Sequence, residues 1–130
     1  MKVWLIAVML SVLPLVSYAG EASLRLNNGE YEIPAIVNLP DSEQAVPAVV
    51  LLHGTASHKN EVGNLYARLA AALAKVGIGS IRIDFAGTGD SEVSYRHYTL
   101  ESAVRDATMG LNYMQAQPQI NADSDFNVDS

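Results

Sequence analysis

Two apolar runs that end in loops demanding unusual backbone geometry constrain this chain more than any other feature. Val49-Val50-Leu51-Leu52 leads directly into His53-Gly54, and further along Ile81-Arg82-Ile83-Asp84-Phe85 leads into Ala86-Gly87-Thr88-Gly89-Asp90-Ser91. Continuous rather than alternating apolar runs suit strands covered on both faces, as in a parallel sheet. Residues 46–53 and 78–85 are therefore read as two interior strands.

The segments around them carry helical spacing. Between residues 61 and 76, Leu65, Leu69, Leu73 and Val76 recur every three or four positions, which predicts one buried stripe on a helix ended by Gly77. After the second strand Thr99 offers an N-cap, and Leu100, Ala103, Val104, Ala107, Leu111 and Met114 form the stripe of a second helix ending before Pro118. Strand, helix, strand, helix implies right-handed crossovers and a parallel sheet. Upstream, residues 22–26 and 31–39 bracket Asn27-Asn28-Gly29-Glu30, and an Asn-Gly pair between alternating apolar runs signals an antiparallel hairpin. The hairpin is expected at the sheet edge and strand 46–53 in its interior. Residues 119–130 are polar and without pattern.

The N-terminus reads as a secretory signal. Met1-Lys2 is followed by a run that is apolar from Val3 to Val16 apart from Ser11 and Pro14, and Ser17-Tyr18-Ala19 places small residues where a signal peptidase reads. A membrane anchor needs a longer apolar span than this, so no stable anchor is expected. Residues 1–19 are assigned to the signal peptide and 20–130 to one domain of an exported protein, periplasmic or extracellular. The chain has no cysteine, so that domain folds without disulfides. Lys2 is the only charge in the signal, which leaves seven of the eight basic residues against 14 acidic ones. Binding to a phosphate backbone needs clustered Lys and Arg, and nucleic acid is excluded as an expected partner.

Ligands of open α/β sheets bind outside the carboxyl ends of the strands, where both unusual loops fall. At His53-Gly54-Thr55 the glycine lets the backbone turn sharply off the strand, and an N–H aimed from that turn stabilises a developing oxyanion. In the second loop Gly87 and Gly89 permit positive φ, and the Asp84 carboxylate is placed to accept from nearby backbone donors.

These two loops together resemble the α/β-hydrolase superfamily, in particular single-domain esterases and serine-aminopeptidase-like members related to feruloyl and cinnamoyl esterases. The resemblance covers residues from Ala22 to about Pro118. It implies that Thr55 supplies an oxyanion-hole N–H, that His53 and Gly54 shape the loop, and that Asp84, Gly87, Gly89 and Ser91 form a structural loop. It also implies a small-molecule ester or amide substrate and Ser-His-Asp chemistry. The fold class is α/β: a partial α/β-hydrolase fold in which an N-terminal antiparallel hairpin leads into a parallel βαβα unit.

No Gly-x-Ser-x-Gly nucleophile elbow occurs in the sequence, and Val128-Asp129-Ser130 resembles the approach to the strand that would carry one. The expectation is an N-terminal half, truncated before the nucleophile-elbow strand by a premature stop, a frameshift or an incomplete gene, and inactive alone. Ser57, His58, His53 and His97 have the right chemistry for a replacement site, but adjacency in sequence does not provide triad geometry. No cofactor is expected, because Glu92 stands where a dinucleotide fingerprint needs its third glycine. No metal is expected either. Asp123, Asp125, Asn127 and Asp129 alternate like the start of a calcium loop, but Val128 replaces the turn glycine. The competing reading is a non-catalytic exported binding protein that uses the Thr55 loop as a ligand or partner surface. For the chain alone, self-association through an exposed strand is expected. Mass spectrometry of the exported protein is predicted to find an N-terminus at Gly20, or at Ser23 by cleavage after Ala22; an intact Met1 in the membrane fraction would reject export.

Overall fold

The computed structural model describes residues 19–122. The signal segment up to residue 18, the calcium-like positions from Asp123 to Asp129 and the final Val128-Asp129-Ser130 lie outside the described residues. Four strands, β1 (Gly20–Asn27), β2 (Glu32–Leu39), β3 (Ala48–Leu51) and β4 (Gly79–Ile83), alternate with two helices, α1 (Leu65–Lys75) and α2 (Leu100–Gln115). The sheet order is β1-β2-β4-β3, antiparallel between β1 and β2 and between β2 and β4, and parallel between β4 and β3.

The hairpin turn is built by its asparagines. Asn27 pairs with Glu32, so residues 28–31 make the turn. Asn27 Oδ1 accepts from Gly29 N–H at 2.8 Å, and Asn28 Oδ1 accepts from the N–H groups of Glu30 and Tyr31 at 2.9 Å each. Gly29 has φ 93°, open to glycine at no steric cost. Helix α2 then locks the turn in place. Its fully buried Asp106 accepts from Asn28 Nδ2 at 2.8 Å and from the Tyr31 hydroxyl at 2.7 Å. Burial, reinforced by Asp106, pushes the Tyr31 pKa up, which keeps the phenol a neutral donor.

Strand β4 is the buried centre, with every residue from Gly79 to Ile83 inside. Ile81 and Ile83 lie under α2 at Gly110, where an added Cβ would sit at ordinary contact distance, 3.6–3.8 Å, from Ile83, Val50 and Ile81. The opposite face of β4 is polar. The Arg82 guanidinium, 1% exposed, donates to Asn60 Oδ1 at 2.9 Å, Asn38 Oδ1 at 2.7 Å and Glu21 Oε2 at 3.1 Å.

Several sequence expectations are corrected. Strand β3 is not interior among the described residues: it pairs only with β4, and all four of its residues are half-buried. The helix expected over 61–76 starts at Leu65 after a 3₁₀ turn over Val62–Asn64. Its expected stripe is largely exposed, since Leu65, Leu69 and Val76 face outward and Ala70 is the buried residue. On α2 the buried positions are Ser102, Asp106, Gly110 and Met114, while Leu100, Val104 and Leu111 are exposed. Of the expected stripe Met114 is buried as read; the other buried helix positions are small or polar, with Asp106 and Ser102 held by hydrogen bonds, so buried hydrogen bonds as well as hydropathy decide the inward face. The expected free tail is also anchored at its start: Ile120 is buried, and Val46 N–H donates to Gln119 O at 2.9 Å while Asn121 N–H donates to Val46 O at 2.8 Å.

Asp106→Ala is predicted to lower stability by roughly 2–4 kcal/mol in urea unfolding, because it leaves Asn28 Nδ2 and the Tyr31 hydroxyl without their acceptor, at about 1–3 kcal/mol for each buried unpaired group. Tyr31→Phe, which removes one donor and leaves Asn28 paired, is predicted to cost about 1 kcal/mol.

Candidate functional site

The carboxyl ends of the parallel pair β3 and β4 lead into the two loops singled out by sequence, and His53 joins them. It is 5% exposed. Its Nε2 accepts from Phe85 N–H at 3.2 Å, which puts the proton on Nδ1, and Nδ1 donates to Gly54 O at 2.7 Å. Thr88 Oγ1 lies 3.1 Å from the same Nε2 and donates to Phe85 O at 2.7 Å. With both ring nitrogens engaged, His53 acts as a strut between strand ends.

Gly54 O also accepts from Ser57 N–H at 3.2 Å, which closes a tight turn whose second inner residue, Ala56, has φ 58°. Thr55 at its tip is exposed. Neither Thr55 N–H nor Ala56 N–H has a hydrogen-bond partner among the described residues. A carboxylate fixes the base of the turn: Glu61 Oε1 accepts from Gly54 N–H at 2.8 Å, and Glu61 Oε2 accepts from the Ser57 hydroxyl at 2.8 Å and from Val62 N–H at 3.3 Å. The Gly54 N–H, then the Ser57 hydroxyl, hold the Glu61 carboxyl below the usual glutamate range. Glu61 takes φ 58°, ψ 174°, a region occupied almost only by glycine and costing on the order of 1–3 kcal/mol for another residue.

The second loop is organised by Asp84, whose side chain is fully buried. Oδ1 accepts from Lys59 N–H at 2.7 Å; Oδ2 accepts from Lys59 Nζ at 2.6 Å and from Asp90 N–H at 2.9 Å. Lys59 Nζ reaches Asp90 Oδ2 as well, at 2.6 Å. Burial pulls the Lys59 pKa down, but its hydrogen bonds to Asp84 and Asp90 more than offset this and leave it raised. The same ammonium holds the Asp90 carboxyl low. Gly89 is required, because a Cβ there would land on the Asp84 carboxylate, and a Cβ on Gly87 would land on the Tyr95 backbone. Gly87 N–H donates to Ser91 Oγ at 3.0 Å, so Ser91 braces its own loop.

A cleft of about 410 Å³ separates the two loops, lined by residues 56–58 on one side and 87–89 on the other, with Tyr95 on its wall. Among the described residues no serine hydroxyl is hydrogen-bonded to a histidine ring. Ser57 is held by Glu61 and Ser91 by Gly87, His58 Nδ1 accepts from Asn60 N–H at 3.2 Å, and exposed His97 stands edge-on to Tyr31. The arrangement offers two successive N–H donors beside a cleft and no nucleophile–base pair.

The sequence matches no protein-family model. It is 36% identical over 80 residues to the uncharacterized Saccharomyces cerevisiae protein YDL057W, a match covering 51% of this chain and 24% of that one. Among solved structures, ferulic acid bound to Est1E from Butyrivibrio proteoclasticus superposes with a TM-score of 0.66 at 16% identity, covering 75% of this chain and 39% of the other. A cold-adapted esterase from an Arctic intertidal metagenomic library superposes with a TM-score of 0.59 at 20% identity, covering 76% and 45%. The described residues form a partial α/β-hydrolase fold. The chain spans less than half the length of each of these proteins.

Within that partial α/β-hydrolase fold, sequence reasoning found the two loops but missed Lys59, Glu61 and Thr88, which hold them. The available signal was Lys59-x-Glu61 directly after a glycine turn, since a lysine beside a buried strand end requires a fixed counter-charge.

Lys59→Met is predicted to cost about 3–5 kcal/mol by leaving Asp84 buried without its cation, whereas Asp90→Asn, at the exposed end of the pair, costs under about 1 kcal/mol. The signs of the shifts set the pH windows. The depressed Asp90 carboxyl contributes stability above its unfolded value of about 3.9, lost as pH falls through its lower folded value. The raised Lys59 ammonium contributes fully below about 10.4, and that contribution is lost as pH climbs through its higher folded value. Unfolding midpoints of wild type and Asp90→Asn should therefore converge in acid and separate at neutral pH.

Proposed function

We propose that this chain supplies the oxyanion-loop half of an exported α/β-hydrolase that cleaves a small-molecule ester or amide by Ser-His-Asp chemistry. The observation that carries the reading is the turn at residues 54–57, whose Thr55 and Ala56 N–H groups have no hydrogen-bond partner among the described residues and whose Ala56 and Ser57 line the cleft at the carboxyl ends of β3 and β4. Fixed N–H dipoles at such a place stabilise the negative charge that develops on a carbonyl oxygen during acyl transfer. The ferulic acid bound to one structural neighbour, a carboxylic acid of the kind that ester hydrolysis releases, and the esterase that is another neighbour support an ester as the substrate class. The nucleophile, its acid and the catalytic histidine are not found among the described residues, and this reading assigns them to the remainder of such a fold. It also sets that remainder against the free edge of β3, beside exposed Leu52 and the exposed Leu100, Val104 and Leu111 of α2. Uncovered, these surfaces favour self-association of the chain alone.

The second reading, a non-catalytic exported binding protein, is favoured by one observation: each serine and histidine near the cleft is engaged in holding its own loop. Purified chain tested with a p-nitrophenyl ester and a fluorophosphonate probe is expected to react at the buffer rate and to remain unlabelled. Where the DNA downstream of the Ser130 codon encodes a Gly-x-Ser-x-Gly after a strand, co-expression with that polypeptide is expected to give labelling on it. Stoichiometric labelling of the chain alone would overturn the half-site reading and direct attention to Ser57 and Ser91. A monomeric peak in light scattering with cooperative unfolding, and no activity in any combination, would establish the binding protein instead.

A further inference from the structure

We infer that Glu61 is a positioning residue for the candidate oxyanion loop, its carboxylate taking the Gly54 N–H and the Ser57 hydroxyl on either side of Thr55 and Ala56, whose N–H groups have no partner among the described residues. The functional consequence rests on the proposed hydrolase reading; the contacts themselves do not.

Three observations converge on Glu61. Its two carboxylate oxygens grip the turn on both sides of Thr55 and Ala56, at Gly54 and at Ser57, each at 2.8 Å. Its backbone lies at φ 58°, ψ 174°, a conformation that a side chain resists and that persists only where surrounding contacts over-determine it. Gly54 is exposed, so water is available to its N–H, and satisfying a buried donor is not what brings the carboxylate there. What the carboxylate adds is a fixed direction for the turn. Preorganised donors act because they do not reorient during reaction, and while the His53 ring holds the Gly54 carbonyl, Glu61 is the side chain that ties the two ends of the turn, Gly54 N–H and the Ser57 hydroxyl, to one group. The charged and titratable groups around Glu61 are His53 at the end of β3, His58 and Lys59 on its own loop, and Asp84 and Asp90, both held by Lys59.

The test follows backbone amides by NMR in the full chain. In wild type the Gly54 amide proton is expected to shift with a midpoint below the ordinary glutamate range, with Thr55 to Ser57 moving in step. Glu61→Gln, which retains an acceptor oxygen for Gly54, is expected to abolish that titration while keeping Gly54 protected from hydrogen exchange. Glu61→Ala is expected to raise exchange at Gly54 and Ser57 at least tenfold while Ile36 and Ile81 are unchanged. A Gly54 amide that ignores pH in wild type, or exchange within twofold of wild type in Glu61→Ala, overturns the inference. If Glu61→Ala does not fold, the wild-type and Glu61→Gln titrations decide by the same criteria. Absence of fluorophosphonate labelling in every combination, with the amide behaviour as expected, removes the hydrolase reading and leaves Glu61 as the residue that sets the loop.

Discussion

The buried pair between Lys59 and Asp84 is the contact on which the candidate site depends. Asp84 ends the central strand, and its carboxylate is fully buried, so it needs both a cation and hydrogen-bond donors to remain there. Lys59 supplies its ammonium and its own backbone N–H, and Asp90 supplies a further N–H. The two loops at the carboxyl ends of β3 and β4 are thereby fastened to one group. The space the carboxylate occupies is also the space a Cβ on Gly89 would need, so the glycine at that position follows from the charge pair.

The sheet divides its two faces between different kinds of cohesion. Under α2 lie Ile81 and Ile83, with Val50 beside them, packed closely against Gly110. On the opposite face Arg82 links Glu21 of β1, Asn38 of β2 and Asn60 of the first loop, so one guanidinium spans both hairpin strands and the site loop. Its planar fork gives directional bonds that a lysine cannot reproduce. The hairpin is thus tied to the site by hydrogen bonds on one face and to α2 through Asp106 on the other.

The strands, the hairpin and the two loops were legible in sequence because each depends on local chemistry: apolar runs, Asn-Gly and closely spaced glycines; the place of β3 at the sheet edge was not. The inward faces of the helices were not. Counting apolar residues along α1 and α2 selects Met114, which is buried, but also Leu65, Leu69, Leu100, Val104 and Leu111, all exposed among the described residues, whereas the other buried positions are Ala70, Ser102, Asp106 and Gly110. Hydropathy spacing does not register a buried aspartate whose partners lie 75 and 78 positions away in sequence. Lys59 and Glu61 were missed for the same reason, since a charge run reads as a solvated loop until its partners are placed. The motif gave the loop's identity; its rigidity comes from long-range partners.

That rigidity decides what the turn offers a ligand. Gly54 N–H is held by Glu61, Gly54 O by His53 and Ser57, Lys59 N–H by Asp84, Asn60 N–H by His58, and Glu61 N–H by His58 O. The Thr55, Ala56 and His58 N–H groups remain without a partner among the described residues, the first two adjacent in sequence at the tip of a turn whose base is fixed by side chains. A backbone N–H in a mobile loop would turn toward water, and the cost of turning it back would count against any transition state that used it. Here the loop is already bonded at most neighbouring positions, so the proposed oxyanion role would ask little reorganisation of the turn, the property that distinguishes an oxyanion site from an exposed turn.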